Sequence, residues 1–167
     1  MPTSDLLDPD ATGVTFDQAT RRVTGFNLDG TIPDAGFVEI QFEKNTAFFN
    51  QGKTRVGQSN LNVEGVVSFV EPIHSYELQN ALEDLNNCCY LLGIVQDNNN
   101  KLRVLGVTYD SENDTYILED MSTGDGSANT GADPTSDQNE YIETLSWNAG
   151  WYAPFFSGAV ADIPLAP

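Results

Sequence analysis

The stretch CYLLGIVQDNNNKLRVLGVTY, residues 89–109, indicates most clearly how this chain folds. An apolar run over Cys89–Gln96 is followed by the polar residues Asp97–Lys101 and then by a second apolar run over Leu102–Tyr109. Two β-prone runs separated by a short polar segment are typical of two antiparallel strands and the turn that joins them. The stretch therefore predicts a β-hairpin.

One helix is predicted immediately upstream of this hairpin, over Ser75–Leu85. Ser75 suits the N-cap position, where its hydroxyl can accept a hydrogen bond from a free main-chain N–H. Leu78, Leu82 and Leu85 recur at the spacing that forms one apolar stripe on a helix. We expect this stripe to pack on the sheet that contains the hairpin.

Further strands are predicted along the chain by β-branched and aromatic residues and by alternating polarity. Apolar and polar side chains alternate over Phe37–Phe49, which is typical of a half-buried strand, and Asn50–Lys53 is predicted to be a turn. The other predicted strands are Val14–Phe16, Arg22–Phe26, Thr54–Val56, Leu61–Val70, Thr115–Met121 and Tyr141–Trp147. The sequence thus predicts a mostly β (α+β) fold, a β-sandwich or open barrel of about seven or more strands with one short helix.

Composition divides the chain into three parts. Residues 1–13 are polar and contain two prolines, so we expect an extended N-terminal arm. Residues 14–148 form the β-rich domain, and within it residues 122–138, which are rich in Gly, Ser, Asn and Asp, are predicted to form a long loop without helix or strand. Residues 149–167 form an aromatic and proline-rich C-terminal tail.

The tail is too apolar to lie free in water, although it has no strong secondary-structure signal. We therefore expect its aromatic side chains to pack on the domain or on a neighbouring subunit. The candidate oligomer-interface residues are Trp151, Tyr152, Phe155 and Phe156.

Charge limits the partners that this chain can have. It contains 25 acidic and 7 basic residues, which gives a net charge of -18. Autonomous nucleic-acid binding and attachment to anionic membranes both require a basic surface, so neither is expected. No apolar run approaches the roughly 20 residues that span a bilayer, and the first ten residues lack the features of a secretory signal. The adjacent Cys88 and Cys89 are poorly placed to bridge each other, which favours a reducing compartment.

Few residues could carry chemistry. His74 is the one histidine, and because it follows an apolar run we interpret it as structural. The triplet Gly52–Thr54 resembles the end of a phosphate-binding loop, but the position that must be glycine in that loop is Ala47. We expect neither an enzyme active site nor a bound cofactor.

Two stretches have the oxygen-rich composition of calcium loops, residues 8–13 and residues 125–133. Neither completes the twelve-residue loop that ends in glutamate, and the same residue types form ordinary turns. No metal site is therefore predicted, and the weak calcium candidates are Asp125, Asn129 and Asp133.

Five segments between Gly36 and Phe156 follow one another in a familiar order. They are GFVEIQFE (36–43), LEDL (82–85), LLGIVQDNNNKLRVLG (91–106), STG (122–124) and DQNEYIETL (137–145). This order resembles a family of virion structural proteins of tailed phages and prophages of Bacteroidetes-type hosts, related to tail-tube and tail-completion proteins. The resemblance implies a sheet sandwich with a flanking helix, made in the bacterial host cytoplasm and incorporated in the virion. It also implies a homo-oligomeric ring, usually sixfold or a multiple of that, in contact with other virion proteins.

Three classes of function remain open. The first is a subunit of a ring or tube in a phage tail or neck, where an acidic lumen would keep DNA from sticking as it passes. The second is a β-sandwich carbohydrate-binding or host-adhesion module, in which Trp147, Trp151 and Tyr152 stack on sugars and residues 125–133 hold calcium. An enzyme has the least support, because the sequence offers no nucleophile with an adjacent base and no set of metal ligands. The sequence does not distinguish a tube from a terminator, a collar ring or a capsid accessory protein.

Overall fold

Eleven β-strands account for most of the structure in the described part of the chain. The computed structural model describes residues 1–7, 13–40, 47–56, 60–71, 91–110, 113, 115–119, 121–123, 127–130 and 139–167. The helix predicted over Ser75–Leu85 lies outside the described residues, as do His74, Cys88 and Cys89.

The strands pair antiparallel, which confirms the predicted mostly β fold and fits an open β-sandwich. Two short 3-10 turns, Thr3–Asp5 and Val160–Asp162, are the helical elements of the described residues. The strands are β1 (Val14–Asp17), β2 (Arg22–Phe26), β3 (Ala47–Val56), β4 (Asn60–Glu71), β5 (Gly93–Gln96), β6 (Leu102–Leu105), β7 (Val107–Asp110), β8 (Thr115–Leu118), β9 (Ser122–Thr123), β10 (Ser127–Thr130) and β11 (Asn139–Ala149).

The largest sheet has the order β10-β11-β4-β3, and β9 also pairs with β11. Side chains alternate between buried and less buried positions along β4, as expected for a strand with one face on the core. The buried positions of β4 are Val63, Gly65, Val67 and Phe69. Trp147 of β11 pairs with Gly65, and its indole lies where a side chain on residue 65 would stand. The large ring is thus accommodated by the smallest residue opposite it.

Two sequence predictions around β3 differ from the structure. The turn predicted at Asn50–Lys53 is wrong, because β3 continues through these residues and pairs with β4 from Ala47 to Val56. A ladder of this length overrides the local turn preference of Asn and Gly. The strand predicted over Phe37–Phe49 is described in part: Phe37 forms an isolated bridge, residues 41–46 lie outside the described residues, and β3 begins at Ala47.

The predicted hairpin is confirmed, with a modification in its second strand. β5 pairs with β6, with Gln96 opposite Leu102 on either side of the predicted turn. The second strand is interrupted at Gly106, after which β7 turns to pair with β8. Gly106 has a φ of +80°, and a Cβ at this position would lie 2.4 Å from the main-chain oxygen of Leu91. Only glycine fits this junction without strain.

The Gly106→Ala variant is therefore expected to be less stable than the wild type by about 1–3 kcal/mol, the cost of a strained main-chain conformation. Gly30→Ala is the matched control, because Gly30 is exposed and a Cβ there would meet no atom within 4 Å. Denaturant unfolding of both variants measures the difference. Equal stability of the two variants would show that the junction at Gly106 tolerates a side chain.

The C-terminal segment 153–157 lies between β2 and β6 and joins them through its main chain. It exchanges hydrogen bonds with β6 on one side and with Val23 of β2 on the other, all with N···O distances of 2.8–2.9 Å. Phe156 is 7% exposed and belongs to a core cluster. This part of the tail is therefore an internal element of the domain.

The N-terminal residues also pack on the domain, whereas the sequence predicted an extended arm. The Met1 amino group donates to the Leu92 oxygen at 2.9 Å, and the Leu92 N–H donates to the Met1 oxygen at 2.7 Å. Leu6 is 2% exposed, so the apolar residues of this segment are drawn into the core by burial. Residues 8–12 lie outside the described residues.

Buried side chains form two core clusters, which meet at β6. The first cluster contains Met1, Leu6, Val14, Val23, Phe37, Leu92, Leu102, Val104, Val107 and Phe156. The second contains Val67, Phe69, Leu91, Leu105, Met121, Trp147, Ala149 and Ala153. Because side chains alternate along a strand, Leu102 and Val104 of β6 enter the first cluster while Arg103 and Leu105 point to the other side.

The loop predicted over residues 122–138 contains two short strands, so its prediction as wholly non-regular is wrong. β9 pairs with Leu145 and Ser146, and β10 pairs with residues 139–142 of the same strand, β11. Both strands form because they pair with the edge of β11, and this pairing cannot be predicted from the composition of the segment. Residues 124–126 and 131–138 lie outside the described residues.

Candidate functional site

A groove of about 590 Å³ opens between β3, the β5–β6 turn and the C-terminal segment. Half of its lining residues are aromatic: Phe49, Tyr109, Tyr116, Trp151, Tyr152 and Phe155. The other lining residues are Arg21, Gln51, Asp97, Arg103, Ala153 and Pro154. Concave surfaces that combine aromatic walls with a few polar groups are the usual form of ligand and partner sites.

The floor of the groove is built on Trp147. Its indole is 1% exposed and stacks against Phe49 at 6.2 Å between ring centroids, with an interplanar angle of 9°. Phe49 and Gln51 alternate along β3, so both side chains stand on the groove face of the sheet. Trp147 was a candidate for stacking on sugars, and that prediction is wrong because the ring is inside the second core cluster.

Arg103 is held on three sides at one wall of the groove. Its Nε lies 3.6 Å from Asp97 Oδ2, and its Nη1 donates to the main-chain oxygen of Ala153 at 3.2 Å. The guanidinium carbon lies 4.2 Å from the centroid of the Phe155 ring, which is a cation–π distance. These contacts fix a positive charge beside an aromatic surface.

Asp97 begins the β5–β6 turn and organises it. Its Oδ1 accepts hydrogen bonds from the main-chain N–H groups of Asn99 and Lys101, both at 2.9 Å. The bond from Lys101 is the largest cause that holds the pKa of the Asp97 carboxyl below its ordinary value of 3.8, with the charge of Arg103 a smaller cause. Asp97 is therefore ionised at neutral pH and partly neutralises Arg103.

This lowered pKa predicts how the turn responds to acid. The pKa of the Asp97 carboxyl is lower in the folded protein than in the unfolded chain. The ionised carboxylate therefore stabilises the fold above the unfolded-state pKa of about 4, and this stabilisation is lost as the pH falls through the lowered pKa of the folded protein. The stability difference between the wild type and Asp97→Asn is therefore expected to be largest near pH 7 and to narrow below about pH 4. Denaturant unfolding of both proteins between pH 3 and pH 7 measures it, and parallel pH profiles would contradict it.

Arg21 and two tyrosines form the opposite wall. The Arg21 guanidinium carbon lies 4.4 Å from the centroid of Tyr109, and the Tyr116 hydroxyl donates to the main-chain oxygen of Arg21. Tyr116 also stacks on Phe16 at 4.3 Å. Burial raises the pKa of Tyr116, so its hydroxyl keeps its proton and its donor role at neutral pH.

The tail supplies the exposed rim of the groove. Trp151 is 52% exposed and meets Tyr152 edge to face at 6.0 Å, while Lys53 Nζ lies 6.0 Å from the Trp151 ring centroid. Phe155 is 37% exposed. Three of the four candidate interface residues therefore line the groove, whereas Phe156 faces the first core cluster.

Positive charge is concentrated at this groove in a strongly acidic chain. Arg21 and Arg103 line it and Lys53 stands above its rim, so three of the chain's seven basic residues meet here. Gln51 is among the lining residues, but its Nε2 is buried and has no hydrogen-bonding partner in the described part of the chain. Such a surface can bind flat apolar groups through its rings and carboxylates through its cations.

Of the three calcium candidates, the described residues include Asn129 alone. Asn129 lies in β10 opposite Glu140, whereas Asp125 and Asp133 lie outside the described residues. Within the described ranges, no group of three or more His, Cys, Asp or Glu residues is placed to hold a metal ion. The helices found there also include none with the length and apolarity to cross a membrane.

Sequence reasoning identified the aromatic rim but missed the charged walls of the groove. Arg21 precedes β2, whereas Asp97 and Arg103 belong to the β5–β6 hairpin about 80 residues later, and none of the three is part of a local motif. The alternation of β6 could have placed Arg103 on a face opposite Leu102, but the tail that covers it is 50 residues away in sequence. Comparison with family models, curated proteins and solved structures gave no significant match.

Proposed function

We propose that this chain is a structural subunit of a tailed-phage particle, which assembles with its own copies into a ring or tube of the tail or neck through which DNA passes. The observation that carries the proposal is the exposure of apolar side chains at two different places on one small domain. A ring requires such a heterologous interface, in which one surface of a subunit meets a different surface of its neighbour.

The first surface is the rim of the groove, with Trp151 and Phe155. The second is Val38, which is 67% exposed and follows the residue that pairs with Leu165 of the C-terminal segment. Apolar side chains exposed at two separate places are what a contact between two different surfaces requires.

The edge of the main sheet supports assembly as well. Among the described residues, β3 is the last strand of the main sheet and pairs with β4 over ten residues. Phe48 on this strand is 56% exposed. We expect this end of the sheet, with its exposed aromatic residue, to contribute to contacts between subunits.

The charge of the chain fits a channel lined with carboxylates. With 25 acidic and 7 basic residues, the basic side chains are too few to pair all the carboxylates of one subunit, so we expect acidic faces to turn to solvent or to a lumen. A lumen of this kind repels the phosphates of DNA and does not retain it. The resemblance to tail-tube and tail-completion proteins points to the same use.

Self-association is expected to depend on protein concentration and on salt. The long-range repulsion between subunits of charge -18 is screened beyond about 8 Å at physiological ionic strength, whereas contacts inside an interface are screened much less. The solution mass should therefore rise with concentration at physiological salt and fall towards the monomer at low salt. Sedimentation velocity measures it, with a DNA-binding assay in parallel. A monomer at every salt and concentration, or tight DNA binding, would contradict the proposal.

A second function, carbohydrate binding, is favoured by the rim itself. Trp151 and Tyr152 present rings on which a sugar face could stack, and Arg103 and Asp97 offer a donor and an acceptor for hydroxyl groups. A glycan-array screen of the wild type and of Trp151→Ala tests it. Sugar binding that the variant loses would support this function over assembly.

A further inference from the structure

The groove combines exposed aromatic rings with a surplus of positive charge. The described residues that line it include two arginines and a single carboxylate, Asp97. We propose that the groove binds a short saccharide that carries a carboxylate, a uronic acid, with the sugar ring on the aromatic rim and the carboxylate on Arg21. This inference rests on the second function proposed above, carbohydrate binding, and it names the chemical class of the sugar.

The two arginines differ in how far their charge is already used. Arg103 contacts Asp97 at 3.6 Å and donates to the main-chain oxygen of Ala153 at 3.2 Å. Arg21 is exposed, stands over the Tyr109 ring at 4.4 Å, and has no carboxylate partner among the described residues. Arg21 is therefore the guanidinium that a ligand can use, and its planar fork of N–H groups matches the two oxygens of a carboxylate.

A further cation stands beside the exposed rings of the rim. Trp151 is 52% exposed and meets Tyr152 edge to face at 6.0 Å. The exposed Lys53 places its Nζ 6.0 Å from the Trp151 ring centroid. The electron-rich face of an indole attracts the C–H face of a sugar ring, while the ammonium nearby attracts a carboxylate. The rim thus suits a sugar that also carries a negative charge.

The C-terminal wall of the groove favours a ligand that is bound through side chains. The main-chain oxygens of residues 153–155 already accept hydrogen bonds, from Arg103, Val104 and Val23 in that order. Pro154 has no N–H to donate. An extended peptide that binds by strand addition needs free main-chain groups at an edge. A sugar acid needs none, because rings and cations hold it.

The charge of the whole chain limits the length of the saccharide. A net charge of -18 repels a long polyanion that runs beyond the groove. A single carboxylate inside the groove interacts chiefly with the cations beside it, because charges farther than about 8 Å are screened at physiological salt. The groove volume of about 590 Å³ is that of a small-molecule site. A mono- or disaccharide with one carboxylate is the ligand that fits these conditions.

Matched pairs of sugars test the inference. The probes are the methyl glycosides of glucuronic, galacturonic and mannuronic acid, each beside its neutral parent sugar, which differs only in lacking the carboxylate. Titration calorimetry at low salt, where the chain is expected to be monomeric, measures binding. At least one uronide is expected to bind about tenfold or more tightly than its neutral parent, since hydrogen bonds to charged groups are the stronger ones. Added salt should weaken this binding.

Arg21→Gln removes the charge that the inference assigns to the carboxylate. This variant is expected to bind the preferred uronide about tenfold more weakly, to bind the neutral parent as the wild type does, and to lose most of the salt dependence. Arg22→Gln is the matched control, because Arg22 is exposed, adjacent and not among the lining residues. Circular dichroism checks the fold, and Lys53→Gln replaces Arg21→Gln if that variant does not fold.

The outcomes separate this inference from the function on which it rests. If no sugar of either kind binds, carbohydrate binding is wrong and the inference falls with it. If neutral sugars bind as tightly as uronides, or if Arg21→Gln binds uronides as the wild type does, carbohydrate binding stands and the inference is overturned. Tighter binding of an acidic peptide, tetraglutamate, than of every uronide also overturns it.

Discussion

Replacement of Trp147 by alanine is expected to lower the free energy of unfolding by about 3–5 kcal/mol. The indole is 1% exposed in the second core cluster and lies opposite Gly65 on β4. It also stacks against Phe49 of the groove floor, with 6.2 Å between the ring centroids. Alanine removes this buried area and leaves a cavity that the surrounding strands, fixed by pairing on both sides, cannot close. Denaturant unfolding measures the loss.

Trp151→Ala is the matched control, because it removes the same side chain from a position that is 52% exposed. Its effect on stability should be within about 1 kcal/mol, since little buried area is lost. The two variants also assign the tryptophan fluorescence of the chain, which contains two tryptophans. A Trp147→Ala protein as stable as Trp151→Ala would contradict the placement of Trp147 in the core.

Replacement of Phe156 by alanine is likewise expected to cost about 3–5 kcal/mol of stability. Phe156 is 7% exposed, stacks on Phe26 at 5.7 Å and packs in the first core cluster from a segment that joins β2 to β6. Loss of the ring therefore weakens the packing between two hairpins. Thermal and denaturant unfolding report the change.

Phe155→Ala provides the control from the adjacent position. Phe155 is 37% exposed and faces Arg103 in the groove, so its loss should have a much smaller effect on stability and a clear effect on self-association. If the two substitutions destabilise the protein equally, the assignment of Phe156 to the core and of Phe155 to the groove is contradicted. Weakened assembly by Phe156→Ala at full stability would contradict it too.

The strands that sequence predicted well are those in which burial alternates along one strand. Leu61–Val70 lies within β4 and Tyr141–Trp147 lies within β11, and both pair as antiparallel strands of the main sheet. The hairpin around Asp97–Lys101 was also recognisable, because its turn residues and flanking apolar runs agree. Local pattern and tertiary pairing favour the same structure in these segments.

Prediction failed where pairing with a distant strand decided the local structure. Asn50–Lys53 has the composition of a turn but lies in β3, because β4 pairs with it along its whole length. Ser127–Thr130 has the composition of a loop but pairs with β11. Neither partner strand can be identified from the segment's own residues.

The candidate site was predictable only where its residues stand out by local composition. The aromatic tail stood out by its apolarity, and Trp151, Tyr152 and Phe155 do line the groove. Phe156 could not be assigned to the core from composition, since the face that each aromatic residue takes depends on the main-chain pairing with Val23 and β6. Arg21 and Arg103 meet the tail only in the folded chain.

Electron microscopy of the purified chain tests the proposed assembly most directly. At physiological salt and at a concentration where sedimentation shows association, two-dimensional classes of negatively stained particles report both closure and the presence of a lumen. Ring assembly predicts discrete round particles with a central hole and one number of subunits, sixfold or a multiple of six. Single small particles, or irregular aggregates without a hole, would contradict it.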